Sequence, residues 1–527
     1  MRTTRSKRDE FSGRPRSGVA LLMTLFIVLI VAAVILQLSV TTSAEYAVSG
    51  NEAVIAKLES AAESALVDAR QALIDDAQPQ EDTSGGAGAG IPGIPGAGGG
   101  DPNAPAQNDA DSLNDTWAND QETSVSDNQV KIHIEDENRK FNILSLVSKD
   151  QEYARASRER LVRIVDLMRE FNGSEKDIDS SYAETIAANI QQWLEGNRKN
   201  FERPNLHSNK PDTTTTLPLT LDELQLLDGI DEDIFYDQKR GKHIYPGLES
   251  VLTIWTSIEA GAIKNTNDTV PDPAAPANPG SPSVSTSASP PTDPNEQQNN
   301  EAAVKDPSIA AGKSGGVKIN INTAPPCILR ALAPNYDIPA EVWDAVIRFR
   351  NQLDEEKLKK AQEAGDYVGG EFPPGVDPAT KIVDRTFYGQ GESGPATQFF
   401  SSLDDLNKID EWKNCSNETA KKDLLKLLTT KSDVFSIYIT VRPTTGRGAV
   451  QSQSVDAFGF ATTTPGADDP DDAPGGIVRR LRQIVWRRTS EQETVLLPLI
   501  VREERFTRKV SIPEFPVDPQ TGEQMFR

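Results

Sequence analysis

Apolar residues gather into one long uninterrupted run and several short periodic ones. Val19 to Leu38 reads VALLMTLFIVLIVAAVILQL, twenty residues with no charge and only Thr24 and Gln37 polar. At ~1.5 Å per residue, a helix of that length spans about 30 Å, the thickness of a bilayer's hydrocarbon core. The apolar core of a cleaved secretory signal is shorter, about 7–15 residues, and ends at a small-residue cleavage site. Here helix-forming sequence continues past the run. Glu45 to Asp76 contains no proline, and Ala53, Ala56, Leu58, Ala61, Ala65, Ala69, Ala72 and Leu73 recur at helical steps, which predicts one packing face. Val19 to Asp76 is expected to be a single helix, half in lipid and half in water, with Gly50 as the weak point near its middle.

Beyond the helix, periodic stretches alternate with Gly/Pro-rich ones. Residues 78–111 consist of little besides Gly, Pro, Ala and polar groups and read as a flexible linker. A second linker covers Lys264 to Gly316, and a short acidic one covers Thr464 to Gly476. Between them lie two stretches that resemble each other. One opens with VKIHIEDENRKFNILSL (Val130 to Leu146), the other with VKININTAPPCILRAL (Val317 to Leu332). Lys140-Phe141-Asn142-Ile143 aligns with Lys318-Ile319-Asn320-Ile321. Helical patterns follow in both: Leu161, Ile164, Leu167 and Met168, then Ile186, Ile190, Trp193 and Leu194 in the first; Ile328, Leu329 and Leu332, then Val342, Val346, Ile347 and Phe349 in the second. Leu221-Asp222-Glu223-Leu224 matches Leu403-Asp404-Asp405-Leu406 as a turn into a short helix. Val251 to Ser257 is then matched with Val434 to Arg442 as a closing strand. This is an internal duplication. The expected organisation is a leader at 1–18, a helix at 19–77, a Gly/Pro linker at 78–112 and a first head and helical unit at 113–263. A Pro-rich linker at 264–316, a second helical unit and strand at 317–445, and a C-terminal region at 446–527 complete it.

Charge adds direction to this pattern. The chain has 527 residues and a net charge of −24, yet residues 1–18 carry +4, which leaves −28 for the rest. Lys and Arg stay on the cytoplasmic side of a span, so a short basic N-terminus is expected inside and a long acidic body outside. The acidic body argues against general affinity for nucleic acid or anionic lipid. Two cysteines, Cys327 and Cys415, exclude a disulfide-dense scaffold and a Cys₄ zinc site. Outside the cytoplasm they form one disulfide or remain two buried thiols.

Candidate chemistry is sparse. Gly88, Gly90 and Gly93 satisfy G-x-G-x-x-G, but Pro92 and Pro95 exclude the strand and helix a dinucleotide site needs. His133 falls on a presumed strand, and His207 and His243 fall in loop-like sequence; no catalytic constellation emerges, and no enzyme is expected. The acidic loop at 464–476 lacks the ligand spacing of an EF-hand. INTAPPCILRAL followed by AEVWDAVIRFR resembles a helix-hairpin-helix, a motif that grips DNA phosphates through backbone N–H groups. Its turn has no glycine and contains Asp337, while LQLLDGIDEDIF places Asp228, Asp231, Glu232 and Asp233 around Gly229. Carboxylates there repel phosphate, so DNA binding is not expected. Ile477 to Arg488 (IVRRLRQIVWRR) reads as a basic amphipathic helix whose arginines pair with carboxylates, and TVLLPLIVREERFTR reads as a strand or two at a sheet edge.

The basic leader ending in Gly18, followed by an apolar stretch that continues as an amphipathic helix, resembles type IV pilins and type II secretion pseudopilins. That resemblance implies cleavage by a prepilin peptidase between Gly18 and Val19, with methylation of the new N-terminus. Most members carry Glu at the fifth mature position, where it pairs with a neighbouring subunit's amine; Met23 stands there in this chain. Such a substitution suits a subunit with nothing above it. VKIHIEDENRKFN at Val130 to Asn142, Asp222-Glu223-Leu224, ININTAP at Ile319 to Pro325 and SDVFSI at Ser432 to Ile437 are similar, in that order, to K-type minor pseudopilins (general secretion pathway protein K). The resemblance covers positions 13 to 445. It implies an α+β fold: a long N-terminal transmembrane pilin helix, a small pilin-like α/β head and a large, mostly helical insert with duplicated helix-hairpin-helix-like units. It also implies a structural role at the tip of a periplasmic pseudopilus that supports protein secretion. Partners would be other minor pseudopilins, the prepilin peptidase and the inner-membrane secretion platform. The chain would cross the inner membrane once, with the N-terminus cytoplasmic and the bulk periplasmic. A membrane-anchored DNA-uptake or type IV minor pilin protein is the alternative. Calcium is implied by the resemblance alone. The family's acidic "DWxDxD" phrase appears only as Gln192-Trp193-Leu194-Glu195-Gly196, so no ligands carry over.

Overall fold

The structure, a computed structural model of the chain, describes residues 17–77, 110–148, 150–168, 178–195, 220–240, 243–256, 318–364, 372–373, 375–384, 395–444, 454–455, 461–462, 477–489, 494–505, 509, 514–515 and 525. The expected leader as far as residue 16, residues 78–109 of the first expected linker, the linkers at 264–316 and 464–476, and His207 lie outside these residues.

Helix α1 runs unbroken from Ser17 to Asp76, through Gly50. The head follows with β1 (Gln121–Val125) and β2 (Asn128–Asp136). Ser126 and Asp127 link them at φ 47° and 64°, the left-handed pair that matches the twist of a tight hairpin. The first helical unit comprises β3 (Phe141–Asn142), α2 (Gln151–Leu167), α3 (Ser180–Glu195), α4 (Glu232–Phe235), β4 (Gln238–Arg240), β5 (His243–Tyr245), α5 (Leu248–Val251) and β6 (Leu252–Thr253). Asp150 caps α2 by accepting from the N–H groups of Glu152 and Tyr153. The second unit comprises β7 (Ile319–Asn320), α6 (Pro326–Ala331), α7 (Ala340–Asn351), α8 (Glu355–Ala364), α9 (Asp410–Asn414), α10 (Glu418–Leu425) and β8 (Leu428–Thr429). The chain then returns to the head through β9 (Val434–Pro443), the short hairpin β10 (Ser454–Val455) and β11 (Ala461–Thr462), then β12 (Arg479–Thr489) and β13 (Thr494–Glu504).

Five strands form one antiparallel sheet in the order β1-β2-β9-β12-β13. The C-terminal half of α1 packs on one face of it, which makes the head an α+β layer. The helical units bury a separate core, in which Leu161, Ile164, Ile186, Ile190 and Trp193 of the first meet Ile328, Leu329, Val342, Trp343 and Val346 of the second. Arg160 and Arg163 of α2 donate to the carbonyls of Leu332 (3.1 Å) and Ala331 (2.9 Å), where cations favour the end of α6.

The duplication is visible at atomic level. β3 pairs in parallel with β6, and β7 with β8, each over two residues. The amide of Asn142 donates to Thr256 Oγ1 (3.0 Å), and that of Asn320 to Ser432 Oγ (2.7 Å). Each asparagine Oδ1 accepts, at 2.9 Å, the N–H two residues on, that of Leu144 or Asn322. The threonines of the partner strands match too: Thr253 accepts from Trp255 N–H and Thr429 from Lys431 N–H, both at 3.1 Å.

Two sequence expectations need correction. The counterpart of Leu252–Thr253 is Leu428–Thr429 rather than the run from Val434; that run became β9, because its alternating apolar residues face α1 within the head sheet. The basic run at 477–488 is β12 rather than an amphipathic helix. β-branched and aromatic Ile484, Val485 and Trp486 favour a strand between two partners, and the arginines reach carboxylates from both faces.

Candidate functional site: an anchor helix and its seat

The N-terminal half of α1 is bare. The large apolar side chains from Leu21 to Val40 are 45–72% exposed, Met23 among them at 67%. The hydroxyls of Thr24 and Thr41 bond back to the carbonyls of Leu21 (2.9 Å) and Gln37 (3.0 Å), so neither seeks water. This is a helix long and apolar enough to cross a bilayer. Gly18 and Val19 lie in its first turn.

The C-terminal half is seated in the head. Leu58, Ala61, Ala62, Ala65, Leu66, Ala69 and Leu73 are buried against Trp117, Val130, Ile132, Ile134, Phe435, Ile437, Ile439, Val441, Leu481 and Val485. The alanines let the helix lie close to the sheet. Ala53 and Ala56, which share the periodicity, are exposed. The seat therefore starts with half-buried Val54 and closes fully from Leu58, and Ala62 and Leu66 widen it beyond the stripe the spacing predicts. Arg502 of β13 adds an ion pair to Glu59 (2.7 Å).

Where α1 ends, charges converge. Arg487 of β12 donates to Asp76 Oδ2 (2.8 Å) and to Asp111 Oδ1. Its guanidinium lies 4.6 Å from the centre of the Phe435 ring. Asp115 completes a cluster whose carboxylate oxygens lie within 4.8 Å of one another. Burial raises all three carboxyls, against the pull of Arg487 on Asp76 and Asp111. Asp115 rises to about 7, through burial and then the charge of Asp76. Asp111 falls within the expected linker, yet the linker's last residues, Ala110, Asp111 and Ser112, are buried. The donor set does not fit calcium. Arg487 already supplies the cation, Ser432 N–H binds Asp111, and Ser112 N–H and Oγ bind Asp115; calcium takes six to eight oxygens free of such donors.

The opposite face of the sheet is also charged. Lys140 bridges Glu135 (2.8 Å) and Glu137 (2.9 Å). Burial would raise the carboxyl of Glu135, but Lys140, Lys509 and Arg139 hold it far below the usual range. Arg482 pairs with Glu503 (2.6 Å), Arg505 with Glu249 (2.7 Å), and Lys509 with Asp237 (3.1 Å) and Glu135 (3.4 Å). Farther along, Glu514 reaches Arg350 (3.0 Å) and Phe515 enters the helical core. The C-terminal residues thus touch the first unit, the head and the second unit in turn. Asp136 at the end of β2 accepts from Ser432 Oγ (2.6 Å), Thr323 Oγ1 (2.5 Å) and Asn320 Nδ2 (3.3 Å); burial, opposed by these donors, raises it to about 7.

The remaining candidates are dispersed. Cys327 and Cys415 are two buried free thiols rather than a bridge; burial pushes the Cys327 thiol up to about 12. His133 Nδ1 meets Asp120 Oδ1 at 2.5 Å, and His243 lies on β5. In the hairpin-like turns, Asp337 accepts from Asn417 Nδ2 (2.8 Å), and Gly229, at φ +86°, offers its carbonyl to the Tyr182 hydroxyl. A cleft of about 450 Å³ is lined by Phe349, Gln352, Leu353, Asp354, Glu355, Glu356 and Gln398.

No family model and no curated protein matches the chain. Among solved structures it is similar to one described as "The Crystal Structure of the GspK-GspI-GspJ complex from enterotoxigenic Escherichia coli Type 2 Secretion System". The identity is 12% and the TM-score 0.35, over 76% of this chain and 88% of that one.

Proposed function

We propose that the protein is a structural, non-enzymatic minor pseudopilin of a type II secretion-like machine. The observation that carries this reading is α1 itself, a single 60-residue helix with one half bare and apolar and the other sealed onto an antiparallel sheet. Stored in the inner membrane, the bare half is soluble in lipid; on extraction it packs against the corresponding helices of other pseudopilins, supported by the secretion platform. Met23 and the two helical units support a tip position, since neither a buried carboxylate nor room for a subunit above is provided. Prepilin peptidase would cut between Gly18 and Val19. Against the DNA-uptake alternative stand Asp337 and the acidic residues around Gly229, where phosphate would have to bind.

Filaments assembled from an overproduced major subunit provide the test of position. Gold-labelled antibody against the helical units should mark one end of each filament. Label spread along the length would contradict the tip reading, and its absence from filaments would contradict the pseudopilin reading.

A further inference from the structure

Asp76 closes α1, and Asp111 belongs to the segment that enters the second helical unit, yet both carboxylates are held by the single guanidinium of Arg487. That guanidinium also donates to Ser432 O (3.1 Å), next to β8. From Asp111 the hydrogen bonds continue inward. Its carbonyl accepts from Asn320 Nδ2 (3.1 Å) and Asn322 Nδ2 (3.2 Å), its Oδ2 accepts Ser432 N–H (2.6 Å), and its N–H donates to Thr430 O (2.8 Å). Asn322 in turn holds Phe400 through both amide atoms, at 3.0 and 2.9 Å. Asp111, Asn320, Asn322, Ser432 and Arg487 are all buried. Charges and dipoles in such a place interact strongly and polarise one another. The apolar faces of α1 and of the helical units, by contrast, belong to two separate cores.

We propose that Arg487 is a relay between the anchor helix and the second helical unit, acting through Asp76 on one side and Asp111, Asn320 and Ser432 on the other. Neutralising Asp76 leaves the guanidinium to Asp111 and the Ser432 carbonyl and shifts all three. The β7–β8 pair is then disturbed from α1, with which it shares no apolar core. This coupling is a property of the fold and stands or falls apart from the filament reading.

Hydrogen exchange followed by mass spectrometry on the full chain in detergent micelles tests it. Asp76→Asn should lower protection about tenfold in the last turns of α1 and also across 319–323 and 428–432. Arg487→Lys, which keeps the charge but lacks the two-pronged reach, should produce the same pair of losses. Asp75→Asn, next door but exposed, should produce neither. Loosening of α1 alone by Asp76→Asn would overturn the relay, as would an equal effect of Asp75→Asn. Loss of protection throughout β2 and β9 would also overturn it, since the cluster would then be part of the general fold.

Discussion

Lys140 shows how a charge is kept buried where β2 passes into the first helical unit. Its ammonium lies between Glu135 and Glu137, with all three side chains at most 3% exposed. Removing Lys140 leaves the buried Glu137 without its cation, although Glu135 keeps Lys509 and Arg139. Lys140→Met is therefore expected to cost about 3–5 kcal/mol, measured by denaturant unfolding; a loss below about 1 kcal/mol would mean that the pair is effectively solvated. Asp115 and Asp136 act in the opposite sense. Their folded-state carboxyls rise from 3.8 to about 7, so between those values the folded chain holds protons that the unfolded chain releases. Their contribution is complete below about 4 and is lost as pH rises to about 7. Thermal stability should fall from about pH 5 to about pH 7, less steeply in Asp115→Asn; an unchanged slope in that variant would refute the assignment. At this scale Asn142 and Asn320 were legible, because a repeated phrase fixes repeated turns. Asp111 was not: it follows a run of Gly, Pro and Ala, and the buried arginine it meets lies 376 positions away.

Among the elements, α1 was readable almost entirely, since an unbroken apolar run and a continuing helical stripe need no tertiary information. What the stripe could not tell is where the sheet ends. Ala65→Leu, inside the seat, should cost about 1–3 kcal/mol by overpacking, whereas Ala53→Leu, outside it, should change stability by less than about 0.5 kcal/mol. Equal effects would place the seat elsewhere. β12 was misread because arginine suits an exposed helix face by composition; only the neighbouring strands and Asp76, Asp111 and Glu503 make those positions favourable in a sheet. The C-terminal residues were unreadable for a similar reason. Arg505, Lys509 and Glu514 are ordinary surface residues until Glu249, Asp237 and Arg350 meet them. A chain ending at Glu504 should expose those three partners. It is predicted to melt in two steps in calorimetry, head apart from helical units, where the full chain melts in one; a single step in the truncated chain would contradict this.

Over the whole molecule, duplicated helical units stand beside a head that carries the anchor helix, with a polar joint between two apolar cores. The repeated turns at Asn142 and Asn320 followed from repeated spacing. The joint did not, since it is assembled from residues at 76, 111, 135–140, 432, 487, 505, 509 and 514, which no local pattern connects. The acidic body and the basic leader set only an expected orientation, and the bare half of α1 bears on insertion alone: an apolar surface of this length is unstable in water and soluble in lipid. The proposed role requires that this helix be handled as a pilin helix. Mass spectrometry of the N-terminus of the mature chain, isolated from membranes that contain a prepilin peptidase, tests it most directly. A chain beginning at methylated Val19 is predicted. A chain that still begins at Met1, or one cut beyond the apolar segment near Leu38, would contradict it.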